Sequence, residues 1–411
     1  MSNIKQTYLD YNATTPIDPK VLEVMLPYFK EKFQNPSSKY RSAMDISIEV
    51  EDARLRIANL LGAKHSDEII FASSATESIN HALRGTLKAY PNKKHIITTA
   101  TEHPAVLETC KDLERDGYKV TFLQVDTKGE LSMEEFTKAL SEDTGIISIM
   151  HANNETGVVF PIDKLSRIAK ERHPEITFHT DATQSIGKIQ IDVYSYQYKH
   201  IDLLSMSGHK IYAPKGIGLL FSRRGSRLRR IITGGHHEFN KRGGTPNVPF
   251  IIGLAKAFEL VLEELKNKKQ DKLAEFRDYL EKTLQKNIPY MYINGAEAER
   301  LCNTTNFSFD CIEGESILFQ LDKAGFCLSS GSACTSGSLE PSHVLRAMHV
   351  PLTSAHSSLR ISMGRYTTKD DVDALITKLP EVIATLRSMS PFWDNKNNKP
   401  NALAAKYSCA N

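Results

Sequence analysis

The chain has 411 residues, 40% hydrophobic and 25% charged, a balance that excludes a disordered or collagen-like polymer. At roughly 100–200 residues per domain, that length predicts two or three units. Fifty-two Lys+Arg against 49 Asp+Glu leave a formal charge of +3, too small for a dedicated nucleic-acid binder. The six cysteines (Cys110, Cys302, Cys311, Cys327, Cys334, Cys409) form no CxxC pair, so neither a zinc ribbon nor a disulfide scaffold is indicated. Residues 1–10 (MSNIKQTYLD) lack the basic-then-apolar pattern of a signal peptide. No run approaches the roughly 18 apolar residues that span a bilayer. A cytoplasmic protein with reduced thiols is the expectation.

From Glu68 to Phe221, short β-branched runs alternate with amphipathic stretches. Glu68–Phe71, His95–Thr99, Val120–Val125, Gly145–Met150, Ile176–His179, Ile201–Met206 and Ile217–Phe221 read as strands. Between several of them the spacing predicts helices over Glu77–Ala89, Ala105–Arg115, Met133–Leu140 and Ile162–Arg172. That alternation implies an α/β fold, a mostly parallel sheet covered by helices on both faces. Ligands of such sheets bind beyond the carboxyl ends of the strands, so the residues following each strand are the candidates for chemistry. After Gly253 the texture changes. Lys256–Leu265 and Leu273–Leu284 form a long helical stretch, interrupted by the charged run Lys266–Lys272. Leu273, Phe276, Leu280 and Leu284 share one face, as in a connecting helix. A smaller α+β unit follows, with Thr304–Phe309 a strand, and Asn395–Asn401 (NKNNKPN) is polar.

Several strand ends carry reactive or phosphate-binding residue types. Phe71 leads into Ala72-Ser73-Ser74-Ala75-Thr76-Glu77, small hydroxylated residues opening a helix. Such a start is either an ordinary cap or a cup whose amides and hydroxyls hold a phosphate. His103 follows the strand His95–Thr99, where it could cap a helix, fill a core or stack on a ligand ring. The strand from Ile176 runs into Asp181-Ala182-Thr183-Gln184, so Asp181 is either catalytic or a helix cap. The strand ending at Met206 leads into Ser207-Gly208-His209-Lys210; a lysine facing a cavity loses its proton readily and forms Schiff bases. A phosphate cup, an acid and a lysine are together what a pyridoxal-phosphate site requires. The cup holds the phosphate, the acid keeps the ring nitrogen protonated, and the lysine carries the aldehyde. Finally, Cys334 lies in Ser329-Ser330-Gly331-Ser332-Ala333-Cys334-Thr335-Ser336-Gly337. A cysteine among small residues and glycines belongs on a mobile exposed loop rather than in a core, and reads as reactive.

The chain resembles the pyridoxal-phosphate-dependent cysteine desulfurases of the NifS/IscS type, in the class V aminotransferase family. The resemblance runs from YLDYNATTP (8–16) to about Trp393. It rests on ATES (75–78), TEH (101–103), NNETG (153–157), DATQS (181–185), SGHK (207–210), SGSACTS (330–336) and SSLR (357–360). It implies a fold-type I transferase, with a mostly parallel seven-stranded sheet in the large domain and a smaller α+β domain. The implied domains are 16–262 for cofactor binding and 1–15 with 263–393 for the small unit bearing the cysteine loop; 394–411 is a polar tail. Residue by residue it implies that Lys210 binds the aldehyde, Asp181 pairs with the ring nitrogen, Gln184 bonds the phenolic oxygen and His103 stacks on the ring. Ala75, Thr76, Ser207 and His209 would surround the phosphate, with Thr245 reaching in from the second subunit of a homodimer. Asn154 and Arg360 would hold the substrate carboxylate, Arg360 as a bidentate fork.

The same resemblance implies removal of sulfur from L-cysteine, giving L-alanine and a persulfide on Cys334. Its onward delivery would be to an iron–sulfur scaffold protein, with tRNA thiolation and frataxin-like or other acceptor proteins as further partners. No intrinsic metal site, membrane contact or direct nucleic-acid binding is implied; Cys334 would at most ligate a scaffold-bound cluster transiently. A selenocysteine lyase or an aminotransferase on the same fold, or a retired binding platform, are the alternatives. Two stretches depart from the family pattern. In the GGGxERGxRSGT-like segment His236 replaces a glycine and Phe239 an arginine, while Arg242 and Thr245 match. The tail after Trp393 also differs. The run Arg223–Arg230 reads as a solvated surface or as a docking patch for acidic partners.

Overall fold

The computed structural model describes residues 6–330 and 340–404. Seven strands build the central sheet: β1 (Ile69–Ala72), β2 (His95–Thr99), β3 (Lys119–Leu123), β4 (Thr144–Ser148), β5 (Thr177–Asp181), β6 (Leu203–Ser207) and β7 (Gly218–Ser222). Their order is β1-β7-β6-β5-β4-β2-β3. Only β7 runs antiparallel to its neighbours. Successive side chains of a strand point to opposite faces. Ile70, Ile96, Ile146, Leu203 and Leu220 therefore meet α2 (Ala75–Ala89) and α3 (Pro104–Arg115) on one side. Their chain neighbours Phe71, Ile97, Ile147, Leu204 and Leu219 meet α1 (Arg41–Leu61), α4 (Ile162–Arg172) and α5 (Val248–Lys266) on the other. Both faces are covered, which is why these strands read as apolar runs rather than as alternation.

All seven strands fall where the sequence places them, His95–Thr99 with the same ends and the other six with shifted ones. β4 stops at Ser148 although the apolar run continues through Ile149 and Met150; those two are buried after leaving the ladder, so burial extends the apolar signal past the pairing. β5 in contrast runs on to Asp181, which makes that acid the last residue of a strand. The long helical stretch is two helices. Lys268 adopts φ +54°, and α6 (Lys269–Asn287) starts there in a new direction after α5.

A second, antiparallel sheet of β8 (Met291–Ile293), β9 (Thr304–Phe309) and β10 (Leu359–Ser362) has the order β10-β9-β8. It shares a core with α6 and α7 (Lys369–Met389), built from Phe276, Leu280, Leu284, Phe307, Ile361 and Leu379. Leu9 belongs to this core, and Thr7–Tyr8 pairs with Phe326–Cys327. The N-terminal segment is thereby pinned, and residues 10–15 run from this core toward the carboxyl ends of the main sheet, where Thr15 donates its amide to the His209 carbonyl at 2.9 Å. The arginine run is only partly a solvated surface: Arg223 donates Nη2 to the Val193 carbonyl at 2.6 Å, and Arg224 pairs with Asp67 at 2.9 Å. Among the described residues no helix is long and apolar enough to cross a membrane.

Candidate functional site

The carboxyl ends of β1, β2, β4, β5 and β6 gather the expected residues at one edge of the sheet. Ser74 caps α2, accepting the Glu77 amide at 3.2 Å. The amides that follow at Ala75 and Thr76 belong to the first helical turn, whose N–H groups have no partner within the helix. β7 approaches this start so closely that a Cβ on Gly218 would lie 2.8 Å from the Ser74 carbonyl carbon. Glycine is therefore what lets the sheet seat the cup. Glu77 steadies it from outside, accepting from Ser73 N at 2.8 Å and pairing with Arg242 at 2.9 Å.

Ser207 is the last residue of β6 and is buried. The single turn that follows presents His209 and Lys210. His209 Nδ1 lies 3.1 Å from Thr14 Oγ1, and burial together with the Lys210 charge pushes its pKa down to about 4, so the ring is neutral. Lys210 Nζ donates to the carbonyls of Asn12 and Ala13, both at 2.6 Å. Asn12 is a hub. Its carbonyl also accepts Gln184 Nε2 at 3.1 Å, and its side-chain amide donates to the Asn154 carbonyl at 3.1 Å and to Thr304 Oγ1 at 2.8 Å.

Asp181 is buried and accepts the Thr183 amide at 2.9 Å. His103 caps α3, its Nδ1 accepting the Ala105 amide at 3.1 Å, which leaves the ring proton on Nε2. Burial lowers its pKa, and Lys210 and His343 reinforce that against the opposing pull of Asp181. Beside it Glu102 is wholly buried; desolvation, with Asp181 adding, pushes its pKa up to about 8. Glu102 is thus protonated at neutral pH. Glu102 Oε1 accepts from Met150 N at 2.8 Å and Thr99 Oγ1 at 3.0 Å.

Arg360, on β10, is almost wholly buried. Nη1 donates to the Asn154 carbonyl at 3.1 Å and Nη2 to Asp10 Oδ1 at 2.7 Å. Thr245 is exposed on its own chain, where it lines a 140 Å³ cavity with Ser73, Gly216 and Arg242. Cys334 lies outside the described residues. Four buried polar atoms bordering this site have no hydrogen-bond partner among the described residues: Glu102 Oε2, Thr183 Oγ1, Gln184 Oε1 and Arg360 Nε. Buried polar atoms are seldom left unpaired, so a polar ligand among them completes the site. A cup of amides and hydroxyls, a buried acid, an imidazole and a lysine fit pyridoxal 5'-phosphate.

The departing loop has a structural explanation. Glu238 forms a buried bidentate pair with Arg54 at 2.6 and 2.8 Å and also accepts the Phe71 amide at 2.8 Å. Phe239, standing where the family has arginine, stacks on the Arg54 guanidinium at 5.1 Å, with Phe71 at 4.5 Å. Three successive non-glycine residues, Glu238, Phe239 and Asn240, have positive φ to make this turn. Sequence reasoning missed Asn12 and Asp10. Asn12 acts largely through its backbone carbonyl, which any residue carries, and the signal that could have found both was their place in YLDYNATTP.

Residues 7–375 match the profile of the family Aminotransferase class-V. A cysteine desulfurase of Nostoc sp. is 50% identical over 97% of each chain. The cysteine desulfurase NifS of Azotobacter vinelandii is 46% identical over 94% of each. Among solved structures, a NifS-like protein superposes with a TM-score of 0.85 at 37% identity, covering 93% of this chain and 100% of its own.

Proposed function

The chain belongs to the class-V aminotransferase family, as a cysteine desulfurase dependent on pyridoxal 5'-phosphate, and from that premise we propose how its own residues divide the work. The observation that carries the assignment is the convergence of Lys210, Asp181, His103 and the α2 amides on one sheet edge. The cofactor, when bound, supplies a sink for the electrons released at the substrate α-carbon. The Ala75 and Thr76 amides, with Ser207 and His209, hold its phosphate. Asp181 keeps the ring nitrogen protonated, Gln184 meets the phenolic oxygen, and His103 covers the ring. Lys210 would hold the aldehyde, and its Nζ would move the proton at the substrate α-carbon. Arg360 and Asn154 orient the carboxylate.

Cys334 is the sulfur acceptor. Its thiolate attacks the substrate sulfur, the carbon–sulfur bond breaks, and the carbon regains a proton, leaving alanine and a Cys334 persulfide. The four described thiols support this choice, because burial raises the pKa of each: Cys110 to about 12, and Cys302, Cys311 and Cys327 upward. The enzyme works as a homodimer that brings the partner's Thr245 to the phosphate. The exposed large apolar side chains of Phe29, Phe33 (71% exposed), Met44 and Ile48 (66% exposed) support a second copy. Thiol chemistry of this kind belongs in the reducing cytoplasm, and an iron–sulfur scaffold is the acceptor, with tRNA thiolation a second outlet. Incubating the enzyme with L-cysteine and a reductant tests the reaction: equal alanine and sulfide are expected, and amine transfer that requires a keto acid contradicts it.

A further inference from the structure

We propose that Asp10 is a built-in competitor for the substrate carboxylate on Arg360, a positioning residue that sets how tightly the site holds an α-amino acid. The proposal rests on the reading of Arg360 as the carboxylate fork. Arg360 is 3% exposed and carries one positive charge, which Asp10 Oδ1 already meets at 2.7 Å. Nη1 is committed to the Asn154 carbonyl, and that carbonyl is itself fixed by Asn12. Nε is buried without a hydrogen-bond partner among the described residues, and Asp10 grips the fork through Nη2 alone. An incoming carboxylate gains two parallel bonds by taking Nε together with Nη2, and two bonds displace one. The displaced Asp10 side chain is 17% exposed and therefore has water to turn to. Its backbone stays bridged to Ser362 on the strand that bears Arg360, so the competitor remains close and returns when product leaves. Two carboxylates on one buried guanidinium leave a negative charge unpaired, which is the cost that every substrate molecule meets on entry.

Asp10→Asn keeps the shape and removes the charge. In the holoenzyme, KM for L-cysteine is expected to fall roughly three- to tenfold, with the change in KM rather than kcat, as for uniform binding. Binding of L-alanine, read from the cofactor absorbance, should tighten by the same factor. Cysteamine, which has the amine and thiol but no carboxylate, should bind as to the parent. Asp10→Ser, which lacks both charge and length, should move in the same direction. Looser or unchanged alanine binding in both variants, or equal tightening of cysteamine, overturns the proposal. Arg360→Gln separates the underlying reading: if alanine binding survives it while cysteamine binding is normal, the fork assignment itself fails.

Discussion

At the residue scale the chemistry was legible where a side chain follows a strand, because a parallel sheet delivers such residues to one edge whatever the details. Lys210, Asp181 and His103 are singled out that way, and the fold gathers them at that edge. Pairings between remote residues are not legible: SSLR singles out Arg360, but Asp10 meets it across 350 positions of sequence, and only the fold puts the two together. Glu102 gives no sign in the sequence of its protonation state, which burial chiefly decides, with Asp181 adding. Its folded pKa of about 8 exceeds the ordinary value of 4.5, so the folded chain keeps a proton that the unfolded chain loses. The stability this group contributes is whole below pH 4.5 and is lost as pH rises through 8. Glu102→Gln should make the slope of Tm against pH between those limits less negative or more positive than in the parent, measured by thermal unfolding of the holoenzyme. A slope unchanged from the parent would mean that Glu102 is ionised.

At the scale of elements, the strands were readable because apolar runs bounded by turns mark a sheet covered on both faces. Their ends were less so: burial continues past the ladder at Ile149 and Met150, and at Lys268 the chain turns on a left-handed residue that no propensity favours. The seat of the phosphate cup depends on such a close approach. A methyl group on Gly218 would also come within 2.7 Å of the Met206 carbonyl oxygen. Gly218→Ala should therefore push β7 and the start of α2 apart, destabilising the fold by about 1–3 kcal/mol. Titration of the apoenzyme with pyridoxal 5'-phosphate should show weaker binding, and parent-like affinity would mean that the cup is seated some other way.

At the scale of the whole molecule, the near-neutral charge conceals buried imidazoles that set the acid limit of the fold. His151 and His179 are wholly buried, and desolvation depresses their pKa values to about 4 and about 3. The unfolded chain protonates them near 6.5, so stability is lost as pH falls below that value, by up to about 1.4 kcal/mol per pH unit for each. Urea unfolding at pH 7 and pH 5 should show a smaller acid loss in His179→Gln than in the parent, and an equal loss in both would contradict the buried neutral state. The cysteines changed meaning most: of six in the chain, the four described ones are protonated and held in the fold. The central claim, that Lys210 chemistry loads sulfur onto Cys334, is tested most directly by mass spectrometry of the holoenzyme after treatment with L-cysteine. One added sulfur atom on the Cys334 peptide, absent in Lys210→Ala, is the predicted result. An unmodified Cys334 beside stoichiometric alanine, or the added sulfur on another cysteine, would contradict it.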